Sequence, residues 1–356
     1  MKILLVYDVD GWCWDHLSQT LKKFARPPFE VRTRSLKMLV PEDYEWADAA
    51  LHWHWSWGQL DQLRIARRRP RLTTVLHHDA VLYSPDDYPD DLRATATSFS
   101  RSKASCVLNL GPHSGVIACN SKLAKFAKGF HSNVACQFAP VDDQLFFPAR
   151  EKRRKDKPTV AFCGQVHQDN YFKPDQKGYL MVMKHLERKL GKTLRFNSNK
   201  SDYRNCKTRN EMAIWYGVSD IFVCPSLVEG TPMPVMEAMA SGLPVLASPV
   251  GVIPDLKSDG IWVLPFEMKT AKDCSLAVQY FADELRDLRD DFDRRQAMGK
   301  ANRQAIQQRY SAQINTNRWL SFISGEVVHE DGLSDRSDSL RDKDVPSPLH
   351  DALRDR

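Results

Sequence analysis

The sequence contains no apolar run of the about 18 residues that a membrane-crossing helix requires. Its start, MKILLVYDVDGW, lacks the long apolar region and the small-residue cleavage site of a signal peptide, and it is typical of a first β-strand. The eight cysteines are scattered, with no CxxC pair and no metal-binding spacing. These absences predict a cytoplasmic protein with reduced thiols and without a structural metal site.

Apolar periodicity is also missing from residues 326–356, an acidic and serine-containing segment. This segment carries nine acidic and five basic side chains, a net charge of −4, whereas the whole chain carries +6 and the remainder therefore +10. We predict that residues 326–356 form a disordered tail, because they cannot bury enough surface to offset the entropy of ordering. The basic remainder would attract phosphorylated substrates, nucleic acid or an anionic membrane surface as a peripheral partner.

Strand-like and helix-like segments alternate in two series along the chain. The first series begins with KILLVYDV at residues 2–9, and the second begins with TVAFCG at residues 159–164. A charged run with a proline, EKRRKDKP, separates them. This alternation predicts an α/β protein with parallel sheets in two lobes, residues 1–150 and 157–310. Ligands of such sheets bind beyond the carboxyl ends of the strands.

Two carboxylates interrupt the apolar, proline-rich segment CPSLVEGTPMPVMEAMASGLPVLAS, which follows a predicted strand. We expect a helix to begin at Pro234, because the N–H that proline lacks would be unpaired in a first turn. Glu229 would then lie in the loop and Glu237 in the first turn of the helix. Gly230 would let the backbone approach a diphosphate at the helix N-terminus, while the carboxylates would accept sugar hydroxyls. The segment therefore predicts a nucleotide-sugar site.

The same segment resembles the donor-binding segment of glycosyltransferase family 4, with its E-x7-E pair and its EAM-x-x-G-x-P run. Further resemblances to this family occur in the expected order: IACNS, PVDDQLFFP, WYGVSDIFVCPS and MGKANRQAIQQRYS. The resemblance implies the GT-B fold, in which two Rossmann-like lobes enclose the active site and a last helix, near residues 311–325, packs back on the first lobe. It also implies a retaining, metal-independent, hexosyltransferase-like enzyme. Such an enzyme uses a nucleotide-diphosphate sugar as donor, a glycan or lipid hydroxyl as acceptor, and no further cofactor.

The resemblance also assigns donor-site residues. Glu229 would face hydroxyls of the donor sugar, and Glu237 would hold the ribose hydroxyls. Lys177, in a Lys-Gly pair that opens a helix, would stabilise the leaving diphosphate, and His78 matches a His-Asp pair near the donor sugar. The backbone and small side chains of the donor site would come from Gly164, Gly230, Thr231, Pro232 and Met233.

One donor-site position departs from the family pattern. Gln165 stands where the family has an arginine, so the charge that this arginine would supply has to come from elsewhere. Lys173, Arg204 and other arginines are candidates for that role. The resemblance therefore leaves open whether Gln165 replaces the arginine or marks its loss.

The loop after the first strand is the predicted acceptor side of the cleft. Asp8 and Asp10 form a DxD pair, which holds a metal in the other large glycosyltransferase fold, but this pair comes too early in the chain for that role. We therefore interpret it as the start of a loop. Asp10, Gly11, Trp12 and Trp14 would line the acceptor cleft, since tryptophan faces stack on sugar rings.

Two other interpretations fit the same residues. The basic runs RIARRRPR and KRRKDK and the abundant tryptophans suit a GT-B enzyme that glycosylates hydroxymethylated bases of DNA, as in a phage-infected host cell. The glutamine at position 165 suits a non-catalytic protein that binds sugars or polyanions. Steep salt dependence on duplex DNA would favour the first, and the absence of donor hydrolysis would favour the second.

Overall fold

The computed structural model describes residues 1–53, 62–82, 110, 112–148, 156–164, 175–199 and 207–326. The predicted tail therefore lies outside the described residues apart from Glu326, as does most of the predicted linker between the lobes. Residues Met1–Glu326 form one compact unit. Within it, the described strands form two entirely parallel sheets.

The first sheet belongs to the N-terminal part of the chain, and its central strands are almost completely buried. Its strands are β1 Lys2–Tyr7, β2 Glu30–Ser35, β3 Ala49–His52, β4 Arg71–Leu76, β5 Gly115–Ala118 and β6 Val134–Cys136. They are ordered β2-β1-β3-β4-β5-β6. We call the elements around this sheet the first lobe.

The second sheet begins after the predicted linker. Its strands are β7 Thr159–Cys163, β8 Arg195–Asn199, β9 Ile221–Cys224, β10 Val245–Ala247 and β11 Ile261–Val263. They are ordered β11-β10-β9-β7-β8, and we call the elements around them the second lobe.

Helices cover both sheets, as the alternation predicted. Short π-helical segments, Tyr179–Met183 and Ile306–Tyr310, connect some of them. The helices with defined ends are α1 Cys13–Phe24, α2 Pro41–Trp46, α3 Ser121–Lys128, α4 Lys184–Leu190, α5 Arg209–Gly217, α6 Met233–Ala240, α7 Ala271–Asp290, α8 Phe292–Ala305 and α9 Ala312–Ser324. In the described part of the chain, no helix combines the length and the apolar character that crossing a membrane would require.

The last helix, α9, lies against the first lobe although it follows the second lobe in sequence. Its side chains Trp319, Leu320 and Ile323 are buried in one cluster with Ile3 and Leu5 of β1. The indole nitrogen Nε1 of Trp319 also donates a hydrogen bond to the carbonyl oxygen of residue 138, at 2.9 Å. Helix α9 therefore completes the core of the first lobe. The predicted α/β fold with two parallel sheets is confirmed.

Candidate functional site

The two lobes touch through backbone at the loop that follows β9. His78 forms an isolated antiparallel bridge with Gly230, and the N–H of Asp79 donates to the carbonyl oxygen of Glu229 at 3.1 Å. A Cβ atom on Gly230 would lie 1.4 Å from the carbonyl oxygen of His77. The approach of a ligand is the reason that the sequence pattern indicated for this glycine. The structure gives a nearer reason, because the first lobe already occupies the space of a side chain.

A second close approach brings Lys177 to the same loop. Gly178 has φ +71, and a Cβ atom on it would lie 2.0 Å from the carbonyl oxygen of Pro225. The N–H of Leu227 donates to the carbonyl oxygen of Gln176 at 2.9 Å. The chain before α4 therefore runs along the loop after β9, and this packing requires the glycine of the predicted Lys-Gly pair.

Lys177 and Glu229 form an ion pair at this junction. Lys177 Nζ lies 2.6 Å from Glu229 Oε1, and the hydroxyl of Ser226 donates to the same oxygen at 2.8 Å. The carboxylate side chain is 7% exposed and the lysine side chain 29%. Burial alone would lower the pKa of Lys177, but attraction to Glu229 reverses the shift, so that the pKa is raised and the ammonium stays charged. The junction therefore holds one fixed cation beside one fixed hydrogen-bond acceptor.

His78 lies beside this pair as a neutral imidazole. Burial, reinforced by the charge of Lys177, lowers the pKa of His78 to about 3. The side-chain amide Nε2 of Gln176 donates to His78 Nε2 at 2.7 Å and also reaches the carbonyl oxygen of Val228 at 3.4 Å. Because an amide nitrogen only donates, the Nε2 atom of His78 is the acceptor.

Glu237 lies on α6, but not in its first turn. The helix begins at Met233, one residue before the predicted start, and its first turn contains no acidic residue. The prediction was wrong because Pro232, which precedes the helix, occupies the N-cap position and Pro234 is its second residue. Helix-dipole attraction in the first turn therefore does not account for Glu237, which lies further along the helix.

Two side chains of α5 surround the Glu237 carboxylate. The hydroxyl of Tyr216 donates to Glu237 Oε2 at 3.1 Å. Burial raises the pKa of Glu237 to about 7, while the charge of Arg209 and the bond from Tyr216 act in the opposite direction. Glu237 is thus a carboxyl group that changes its charge near neutral pH.

Arg209 is a further cation of this region, and no sequence motif indicated it. Its guanidinium Nη1 donates to Thr20 Oγ1 of α1 at 3.0 Å and lies 4.0 Å from Asp142 Oδ2. Only 20% of its side chain is exposed. Arg209 therefore connects the second lobe to the first lobe near Glu237. Its position at the start of a predicted helix carried no sequence signal, whereas Tyr216 belongs to a stretch that the resemblance included.

The other predicted donor residues lie around the same junction. Gly164 directly follows β7, and a Cβ atom on it would lie 3.0 Å from Cβ of Lys177. Thr231 and Pro232 connect Gly230 to Met233, and Met233 is partly buried against the core of the first lobe. Their roles toward a donor stay predictions. Gln165, Lys173 and Arg204 lie outside the described residues.

Three of the predicted acceptor residues, Asp10, Gly11 and Trp12, lie between β1 and α1, whereas Trp14 is the second residue of α1 and not part of the loop. The hydroxyl of Tyr7 donates to Asp10 Oδ1 at 2.9 Å, Gly11 has φ +72, and Trp12 is the N-cap of α1. Trp14 stacks on the buried Trp53 with ring centroids 5.1 Å apart. One face of Trp14 is therefore covered by protein, and acceptor stacking has to use what remains exposed.

Comparisons with known proteins show what the chain is similar to. Residues 182–291 match the family described as "Glycosyl transferases group 1". A "D-inositol 3-phosphate glycosyltransferase" of Corynebacterium aurimucosum is 30% identical over 239 residues, which cover 64% of this chain and 48% of that protein. The chain thus spans about half the length of this relative, and less of the other curated proteins that it matches.

Solved structures resemble almost the whole chain. HepE of Anabaena, crystallised with UDP and glucose, has a TM-score of 0.63 at 13% identity and covers 92% of this chain and 100% of its own. The sucrose-phosphate synthase of Thermosynechococcus elongatus has a TM-score of 0.62 at 14% identity, over 90% and 98% of the two chains. The fold is therefore GT-B. Within it, the second lobe carries a segment of the group 1 glycosyl transferase type.

Proposed function

We propose that the protein is a retaining glycosyltransferase of the family 4 type. It would transfer a sugar from a nucleotide-diphosphate sugar to a hydroxyl of a glycan, a lipid-linked sugar or a similar acceptor. The observation that carries this proposal is the Lys177–Glu229 pair, fixed where the loops of two parallel sheets meet. A donor of this class needs a cation for its diphosphate and an acceptor for its sugar hydroxyls, and the pair offers both side by side.

The proposed chemistry rests on positioning and charge. The departing nucleoside diphosphate gains negative charge, and Lys177 would stabilise it from a partly buried position where the interaction is stronger than in water. Glu229 would accept hydrogen bonds from the donor sugar and hold the anomeric carbon in place. The acceptor hydroxyl would attack from the face that the diphosphate leaves, and the departing phosphate oxygen would take its proton. This same-face attack gives retention.

The names of similar proteins guide the choice of a first donor. HepE structures contain UDP or UDP-glucose, and the matched curated relatives are transferases of sugars. We therefore propose a UDP-sugar as the first donor to test, with GDP- and ADP-sugars beside it. The basic surface of the first lobe, where Arg67, Arg68 and Arg69 are exposed, is a further candidate for contact with an anionic acceptor or membrane surface.

The experiment that tests the proposal has two stages. A thermal-shift screen with UDP, GDP, ADP and their sugars identifies the donor, because a ligand of the folded state raises the melting temperature. NMR of the product then gives the anomeric configuration of the transferred sugar. A stabilising nucleotide sugar that yields a product with the donor's configuration supports the proposal, whereas an inverted product contradicts retention.

Affinity for the intact nucleotide sugar is expected to rise between pH 6 and pH 8. The pKa of Glu237 is raised to about 7, so the residue is mostly neutral at the lower pH and mostly ionised at the higher one. Only the carboxylate form accepts two ribose hydroxyls, and affinity should therefore rise by up to about tenfold. Isothermal titration calorimetry measures this directly, and the diphosphate of an intact sugar nucleotide does not itself titrate in that range.

The Glu237→Gln variant should remove both the extra affinity at pH 8 and the pH dependence. Glu267→Gln is the matched control, because Glu267 pairs with Lys122 and Lys269 on the surface, and it should bind like the unmodified protein. If Glu237→Gln keeps the same rise in affinity between pH 6 and pH 8, Glu237 does not hold the ribose.

Turnover is expected to survive EDTA. In the described ranges, His, Cys, Asp and Glu side chains do not form a group of three that could hold a metal ion. The proposed stabilisation of the diphosphate uses Lys177 instead. Initial rates with and without EDTA should agree within about twofold, since no charge-stabilising group would be removed. A loss of turnover that manganese restores would assign the charge stabilisation to a metal.

The two other interpretations receive less support. For DNA, the basic run is only partly available, because Arg68 pairs with Asp48 at 2.8 Å. The matched relative of Corynebacterium aurimucosum is named for D-inositol 3-phosphate and not for a nucleic acid. A non-catalytic role rested on Gln165 alone, whereas Lys177 and Arg209 are both charged residues near the proposed donor site. A steep dependence of duplex binding on salt would revive the DNA interpretation.

A further inference from the structure

Asp79 is a buried carboxylate that the proposed chemistry does not use. Only 1% of it is exposed, and its N–H and both carboxylate oxygens have partners. Oδ1 accepts a hydrogen bond from Asn120 Nδ2 at 2.7 Å, and Oδ2 accepts one from the N–H of Gly251 at 3.2 Å. Its own N–H donates to the carbonyl oxygen of Glu229 at 3.1 Å. One residue of the first lobe is thus bonded to two separate loops of the second.

The partner on the first lobe is a rigid anchor. Asn120 is fully buried and is the N-cap of α3, where its Oδ1 accepts from the N–H of Leu123 at 2.9 Å. Its amide nitrogen is directed at Asp79, so the same side chain starts a helix and orients a carboxylate. The Asp79 side chain is therefore fixed relative to the first sheet.

The partners on the second lobe are packed on each other. The N–H of Val252 donates to the carbonyl oxygen of Gly230 at 2.8 Å. Gly251 has φ +56, and a Cβ atom on it would lie 2.2 Å from that oxygen. The turn at Gly251 thus supports the Glu229–Gly230 peptide from one side. Asp79 forms hydrogen bonds to the Gly251 turn and to the carbonyl oxygen of Glu229.

We infer that Asp79 is a positioning residue that sets the Glu229–Gly230 loop against His78 and so fixes the Lys177–Glu229 pair in the cleft. This inference rests on the proposed function for its effect on turnover, but its structural part does not. Asp79 would not touch the donor. A misplacement of reacting groups by about 1 Å can cost roughly a hundredfold in rate.

The charge of Asp79 matters for this role. Burial raises its pKa to about 6, while the bonds from Asn120 and Gly251 and the charge of Lys122 act against that shift. Asp255 and the thiol of Cys119 are the other titratable groups that interact with it. Above about pH 6 the carboxylate accepts both N–H groups. Below this pH a proton occupies one acceptor position, and the hydrogen bonding of Asp79 between the two lobes weakens.

The test compares Asp79→Asn with Asp255→Asn. The first variant keeps the size of the side chain but turns one acceptor into a donor, which then opposes an N–H group. The second variant is matched, because Asp255 also ties the lobes through the N–H and the hydroxyl of Ser121, both at 2.7 Å, yet away from Glu229. Kinetics are measured with the donor that the thermal-shift screen identifies. Rates are divided by the concentration of donor-binding sites, which calorimetry gives.

We expect Asp79→Asn to lower kcat by 10- to 100-fold while KM for the donor changes less than about threefold, because the donor would bind mainly to the second lobe. In the unmodified protein, kcat should fall as the pH drops below about 6, because Asp79 becomes protonated. This fall should be absent in Asp79→Asn and present in Asp255→Asn. Equal losses in the two variants, or the same fall in Asp79→Asn, would overturn the inference.

Hydrogen exchange separates this inference from the proposed function. The N–H of Gly251 and the peptides around Glu229 should exchange faster in Asp79→Asn than in the unmodified protein, with no such change in Asp255→Asn. This readout needs neither a donor nor turnover. If no nucleotide sugar reacts but the expected exchange pattern is observed, the proposed function is wrong and the positioning role of Asp79 is supported. If the N–H of Gly251 exchanges at the same rate in all three proteins, Asp79 does not hold the Gly251 turn, even when the enzyme is active.

Discussion

Replacing Lys177 by alanine is expected to lower turnover by roughly two to three orders of magnitude, the usual effect of losing one charge-stabilising donor. Lys177 Nζ lies 2.6 Å from Glu229 Oε1, and its pKa is raised, so it carries a full charge at any pH where the enzyme would work. The alanine variant would lose this charge beside the leaving diphosphate. Steady-state kinetics at saturating donor measure the effect on kcat.

The loss of Lys177 also has a structural consequence that the measurement has to separate. Among the described residues, Glu229 Oε1 would keep the hydrogen bond from the hydroxyl of Ser226, and a buried carboxylate that loses its cation destabilises the fold by about 3–5 kcal/mol. Rates are therefore normalised to folded protein, and assays run well below the melting temperature. A double variant that adds Glu229→Gln removes the unpaired charge and should regain stability without regaining turnover.

Lys269→Ala is the matched control for Lys177→Ala. Lys269 pairs with Glu267 at 3.2 Å, and its side chain is 54% exposed. Turnover of this variant should stay within about twofold, because an exposed pair contributes little. Lys177→Arg should recover only part of the activity, since a planar guanidinium does not replace a compact ammonium. Near-normal turnover of Lys177→Ala would assign the decisive cation elsewhere, with Arg209 the next described candidate.

Gly230→Ala is expected to lower turnover severely. The added Cβ atom would lie 1.4 Å from the carbonyl oxygen of His77 and 3.0 Å from Cα of His78, both backbone atoms that cannot rotate away. The bridge between the lobes would have to open, and Glu229 would move with the loop. We expect kcat to fall by at least about a hundredfold, as for reacting groups displaced by an ångström or more.

Gly129→Ala serves as the control for the glycine substitution. Gly129 is the C-cap of α3 with right-handed helical angles, and the nearest atom to its Cβ would be the carbonyl oxygen of Phe126 at 3.2 Å. This variant should keep both its activity and its melting temperature. If Gly230→Ala remained active, the junction of the two lobes in the working enzyme would differ from the one described above.

The sequence predicted the fold because its signals are local. Buried strands such as β1 and β7 appear as short apolar runs, whereas β2 and β8 carry mostly polar residues and depend on their place beside the buried strands. Glu229 and Lys177 were found by their family pattern, which includes the glycine next to each of them. Both glycines turned out to be sites of backbone contact, so the pattern recorded a packing requirement as well as chemistry.

The remainder depended on contacts between distant parts of the chain. Asp79 and Gly251 are 172 residues apart, and Arg209 and Thr20 are 189 apart, so no local pattern links them. The start of α6 was misplaced because two prolines stand within three residues and either one suits a helix start. Trp14 was expected to offer its face to a sugar, but it stacks on Trp53, whose burial depends on α9.

Because α9 packs on the first lobe, the first lobe can complete its core on the ribosome only after the second lobe has been synthesised. Sheet strands β1 to β6 emerge first, yet the apolar side chains that Trp319, Leu320 and Ile323 cover stay open until the whole second lobe has been translated. At about 5–20 residues per second, the interval between β6 and α9 lasts on the order of ten seconds or more. The nascent first lobe therefore presents an unfinished core to chaperones during that time, and a gene fragment that encodes this lobe alone would yield a protein that lacks its last packing layer.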